Sequence, residues 1–115
     1  MKNFNKVILA GKVACDPDTI KTEDGLVVTT FALAINRKAG DQEVADFHRI
    51  VTFRDLAQAV ADKVMKDMII TVEGSIVNRR FEDREGNQHY RTEIEADSIG
   101  TEYKKDGVIT TNPII

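Results

Sequence analysis

Two spacings of apolar residues divide the chain. An alternation of period two, which marks a strand with one face turned inward, runs over residues 4–14. There Val7, Leu9 and Val13 fall on one side and Ile8 and Ala10 on the other. The alternation returns over 26–36 through Phe31, Leu33 and Ile35, over 46–53, and from Met68 through Ile70, Val72 and Ile76. Tyr90 to Asp97 alternates last, with a continuation toward Tyr103. From Asp55 to about Lys66 the spacing becomes helical, with Leu56, Ala57, Val60, Ala61 and Val64 on one face. Asp55 is the expected N-cap, and Gln58 three residues on completes a variant of the capping box.

Breaks between these segments are equally regular. Asp16-Pro17-Asp18 interrupts the first strand, because Pro cannot donate to a ladder and Asp favours turns. A short extended piece, Thr19 to Thr22, runs into Glu23-Asp24-Gly25, where Asp-Gly signals a hairpin. Arg37 to Asp46 reads as a polar loop containing Gly40, and Phe81 to His89 as a hairpin tip turning at Glu85-Gly86-Asn87. Gly74 marks a bulge or a close backbone approach. The pattern predicts an all-β chain, a five-stranded Greek-key OB-fold barrel with one α-helix between strands 3 and 4. Such barrels bind oligonucleotides across strands 2–3 and their flanking loops. Residues 1–104 form the expected domain; from Asp106 the chain should be loose, making 105–115 a short flexible tail.

The third strand sorts its side chains into two surfaces. Phe47, Arg49, Val51 and Phe53 point one way; His48, Ile50 and Thr52 point the other. Two rings around a guanidinium suit flat unpaired bases joined by charged phosphates, while the second face is left to core or a subunit contact. A similar run, Arg79-Arg80-Phe81, leads into the polar hairpin. Together they point to a binder of single-stranded nucleic acid.

Composition narrows the classes. With 115 residues, 42% hydrophobic and 30% charged, the chain is long enough for one globular domain without staples. Its single cysteine, Cys15, cannot form an internal disulfide, which fits a reducing compartment. Lys12 breaks the apolar run Val7 to Ala10 before it reaches the ~7 residues of a secretory signal. No segment approaches the ~20 apolar residues of a membrane span, so a soluble cytoplasmic protein is expected. Net charge is −3, against a strongly electrostatic nucleic-acid binder. Yet residues 1–12 carry Lys2, Lys6 and Lys12 without an acid, and 47–54 carry Arg49 and Arg54 without one.

Catalysis finds little support. His48 and His89 are far apart, and there is no Cys-x-x-Cys or His-x-x-x-His spacing for a metal. Glu93 and Glu95 share a strand face, but paired acids on an exposed edge read as solvation rather than acid/base machinery. No enzymatic activity, metal or cofactor is expected. The rival readings are an adaptor of the primosomal kind, acting mainly through protein contacts, and RNA binding by the same stacking logic.

Ordered pieces of the chain resemble the core domain of bacterial single-stranded DNA-binding proteins over about residues 4–103. They are Asn5-Lys6-Val7-Ile8-Leu9-Ala10-Gly11, Asp16-Pro17, Phe31-Ala32-Leu33-Ala34-Ile35-Asn36-Arg37 and Phe47-His48-Arg49-Ile50-Val51. Leu56-Ala57, Val72-Glu73-Gly74, Arg79-Arg80-Phe81 and Tyr90-Arg91-Thr92-Glu93-Ile94 follow. The resemblance implies sequence-tolerant binding and protection of single-stranded DNA in replication, recombination and repair, with association to the nucleoid. It implies that Phe47, Phe53 and Phe81 stack on bases, each worth roughly 1–3 kcal/mol. Arg49, Arg79 and Lys66 would meet phosphates, with Arg37, Lys38, Arg80 and Arg84 as helpers. His48 and Tyr90 would lie at subunit contacts of a homotetramer.

Departures from the family pattern point toward weaker binding. Phe47 and Phe81 stand where Trp is usual, and the chain has no Trp; Phe offers less stacking area. Arg37 to Asp46 contains no aromatic, and Asp55 replaces a frequent Lys. Pro113-Ile114-Ile115 resembles the hydrophobic end of the family's partner-recruiting tip without its acids, which puts recruitment of replication and repair proteins in question.

Overall fold

The computed structural model describes residues 2–105 and 108–115, with side chains over 2–101 and 112–115. Its elements run β1 (Val7–Val13), β2 (Asp18–Lys21), β3 (Val27–Ala39), β4 (Gln42–Phe53), α1 (Arg54–Lys63), β5 (Ile69–Glu82), β6 (Gln88–Lys105) and β7 (Val108–Pro113). Five of the strands close on themselves: β1 pairs β5, β5 pairs β6, β6 pairs β4 in parallel, β4 pairs β3, and β3 returns to β1. The expected OB barrel, with its helix between the third and fourth barrel strands, is thereby borne out. Strand β2 adds to the free edge of β3, and β7 to that of β6.

Alternation decides what goes inside. Val13 and Leu33 are fully buried, Phe31 nearly so, and Leu9 half-buried against them. On β4 the core takes the even side: Ile50 and Thr52 are 0% exposed. Two buried threonines are satisfied locally, Thr29 Oγ1 donating to Ala57 O at 2.9 Å and Thr52 Oγ1 to Thr29 O at 2.8 Å. Helix α1 packs on β3 and β4 through Ala57, Ala59 and Val60. At the N-terminal end Asn5 imitates a strand residue, its side chain bonding both Ile76 O and Ile76 N.

Gly74 meets both expectations set for it. The β5–β6 register shifts between Glu73 and Gly74, and a Cβ there would collide with the Glu95 carbonyl oxygen.

Four local expectations are corrected. Residues 37–46 are not a loop: β3 and β4 continue as a two-stranded arm in which Arg37 faces Val44 and Lys38 faces Glu43, turning only at Gly40-Asp41. Asp55 is not the N-cap. The cap position is Phe53 without a side-chain bond, and Gln58 Nε2 bonds Asp62 Oδ1 at 3.1 Å instead of closing a capping box. The helix ends at Lys63, and Ala59 rather than Ala61 is buried. Nor is the end of the chain loose. Asp106 lies outside the described residues, but β7 pairs with β6, Ile114 N–H donates to Ile99 O at 3.0 Å, and Ile114 is buried in the core.

Candidate nucleic-acid interface

The outward face of β4 forms the spine of a groove. Register places Phe47 opposite Ala34, Arg49 opposite Ala32, Val51 opposite Thr30 and Phe53 opposite Val28. Beside the small Ala34 and Ala32, the side chains of Phe47 and Arg49 stand exposed. Strand β2 contributes Asp18 and Ile20 on one side; Arg79, Arg80 and Phe81 of β5 with Arg91 and Glu93 of β6 line the other. This concavity holds about 560 Å³. A second lobe of about 350 Å³, lined by Cys15, Asp16, Phe47 and His48, shares Asp18, Thr30 and Arg49 with it. Phe47 is 66% exposed and Phe81 42%, Phe53 is half-buried, and Val51 lies nearly covered.

A buried carboxylate organises the cations. Glu93 is 5% exposed and takes Arg49 Nε on Oε2 at 2.7 Å and Arg79 Nε on Oε1 at 2.8 Å. Arg91 stands 4.0 Å from Oε2, and Arg79 also reaches Glu95 at 3.3 Å. All three arginines remain roughly half exposed. Two of them also touch the rings: the Arg79 guanidinium lies 5.8 Å from the Phe53 centroid and that of Arg91 5.0 Å from Phe81.

Beyond this cluster the β5–β6 arm carries further rings. His89 stacks on Phe81 with centroids 5.3 Å apart and planes inclined by 22°. Its Nε2 lies 2.7 Å from Asp83 Oδ2. Asp83 also accepts the Glu85 and Asn87 amides, and these bonds, that to His89 foremost, hold its carboxyl below the usual range. Arg80 lines the groove rim with its guanidinium 5.5 Å from the Tyr90 ring.

Of the sequence-derived site residues, Phe47, Arg49, Phe53, Arg79, Arg80 and Phe81 are brought together on this flank. Four are not. Arg37 is ion-paired to Asp46 at 2.6 Å on the β3–β4 arm, Lys38 faces Glu43 there, and Arg84 sits in the β5–β6 turn. Lys66 follows α1, its backbone N–H held by Asp16 Oδ1 at 2.9 Å. His48 lines the second lobe opposite Leu33; Tyr90 is 66% exposed. Sequence reasoning missed His89, which stacks on the groove's Phe81, and Arg91 and Glu93 as parts of the groove lining. Their shared parity with Glu95 was a usable signal for the first two. Burial of Glu93 depends on partners 14 and 44 residues away.

Fold and groove together define an OB-fold domain with an arginine-and-aromatic flank. The chain belongs to the single-strand binding protein family, which it matches over residues 4–101. It is 42% identical over 99 residues to a single-stranded DNA-binding protein of Caldanaerobacter subterraneus subsp. tengcongensis, covering 84% of this chain and 66% of that protein. To single-stranded DNA-binding protein A of Bacillus subtilis it is 36% identical over 108 residues, covering 90% and 62%. The chain thus spans a little under two thirds of the length of these relatives. Among solved structures it is similar to that described as a Plasmodium falciparum SSB complex with ssDNA, with a TM-score of 0.76 at 28% identity, covering 84% of this chain and 90% of that one. Among the described residues no helix is long and apolar enough to cross a membrane.

Proposed function

We propose that the chain binds single-stranded DNA without sequence preference along the groove on the β4 flank. The observation that carries this reading is the pairing of exposed rings with half-exposed guanidiniums on one continuous surface. Bases stack on Phe47, Phe53 and Phe81, which is tolerant of sequence because every base has a π-face. Phosphates meet Arg49 and Arg79, with Arg80 at the rim; Arg37, Lys38, Lys66 and Arg84 guide the strand farther out. The reading is of a holding and protecting role in DNA replication, recombination and repair, in the cytoplasm at the nucleoid. It includes assembly as a homotetramer with His48 and Tyr90 at subunit contacts. The relatives' names favour it over an adaptor working mainly through protein contacts.

Fluorescence anisotropy with labelled oligo-dT tests the proposal, with light scattering on the same samples for the subunit count. Submicromolar, length-dependent affinity in moderate salt, much weaker for duplex, is expected. No binding at low salt would end the reading, and a monomer mass would end its tetramer part.

A further inference from the structure

Glu93 is the one buried charged residue among those described, and it lies in the groove itself. A carboxylate out of water persists only when paired. Here the pairing constrains the cations as much as it satisfies the acid. Arg49 from β4 and Arg79 from β5 each present Nε to a different carboxylate oxygen, at 2.7 and 2.8 Å. A guanidinium is a rigid planar fork with five N–H donors. Holding it by the Nε edge fixes the direction in which its terminal nitrogens point. Without that hold, two long side chains would sample many rotamers, and a ligand would have to order them.

We propose that Glu93 is the positioning residue of the interface: a buried carboxylate that aligns Arg49 and Arg79 across the groove so that phosphates meet donors already in place. The inference rests on the single-stranded DNA reading above and deepens it. It makes a counterintuitive prediction, because an acid in an anion-binding groove should, by charge alone, oppose binding.

The test is oligo-dT anisotropy at fixed moderate salt with Glu93→Gln and Glu93→Asp. Glu93→Gln removes one negative charge from the groove yet should weaken binding roughly tenfold, the order of coupling within a salt-bridge network. Glu93→Asp keeps the charge but is one methylene shorter, and should weaken binding in the same direction. Both effects should disappear in an Arg49→Ala/Arg79→Ala background, because Glu93 acts through those side chains. In the DNA-free protein, the Arg49 and Arg79 Nε–H resonances should be protected from exchange and lose that protection in Glu93→Gln.

Tighter or unchanged binding by Glu93→Gln, wild-type affinity in Glu93→Asp, or a loss that persists without the two arginines would overturn the proposal. So would failure of both variants to fold, which would make Glu93 a stability residue. A wild-type protein that ignores oligo-dT defeats the functional reading instead, so the two failures are separable.

Discussion

Phe47 offers the cleanest single-residue test of the groove. At 66% exposure its ring contributes little to the core, so Phe47→Ala should leave thermal unfolding unchanged while weakening oligo-dT binding by about 1–3 kcal/mol. Wild-type affinity in the variant would remove the residue from the site. Phe81 is less diagnostic, because His89 and Arg91 already pack on its ring and would lose their own contacts with it. The difference also marks what could be read locally. Alternation alone set Phe47 and Arg49 on the face opposite Ile50 and Thr52, and that division holds in the structure. Glu93 was readable only as one of two edge acids, because a strand's own sequence says nothing of the arginines that other strands bring against it. Burial of a charge is a tertiary fact.

The two hairpin arms show the same limit among elements. Barrel strands were legible because one face is buried, which forces apolar residues to alternate. Beyond Asn36 the β3–β4 arm is exposed except at half-buried Val44, so its strands carry Arg37, Lys38 and Glu43 and resemble a loop. Cross-strand pairing of opposite charges, not hydrophobicity, accompanies its extension. The helix start was misplaced for a different reason: Arg54 adopts φ 59°, turning the chain into the helix one residue before the expected cap. On the β5–β6 arm, Asp83 ties the turn through the Glu85 and Asn87 amides and the His89 ring, while Gly86 supplies φ 84°. A carboxyl depressed in the folded state stabilises above its unfolded pKa, and that contribution is lost as pH falls through the folded one. The Asp83 carboxyl resonance should therefore titrate with a midpoint below about 3.9, the ordinary aspartate value. Protection of the Glu85 and Asn87 amides, measured against their intrinsic exchange rates at each pH, should fall as that midpoint is passed. A midpoint at or above the ordinary value would mean the turn is not held this way.

At the scale of the molecule, the proposed reading asks a chain of net charge −3 to hold a polyanion with a small local surplus of cations. The central cluster sets three guanidiniums against two carboxylates, Glu93 and Glu95, which leaves one net positive unit among its members. Counterion release then cannot supply most of the affinity, and stacking on the rings has to carry it. For single strands the slope of log affinity against log salt is about −0.7 per phosphate neutralised. One to three phosphate contacts therefore predict a slope of about −0.7 to −2 for oligo-dT. Arg49→Ala should flatten it by roughly one unit or less, whereas Phe47→Ala should lower the whole line without changing its slope. Titrations across a range of salt concentrations check both statements. A wild-type slope steeper than about −4 would place the binding energy in lysines and arginines away from this groove, and the ring-centred account would then give way to an electrostatic one.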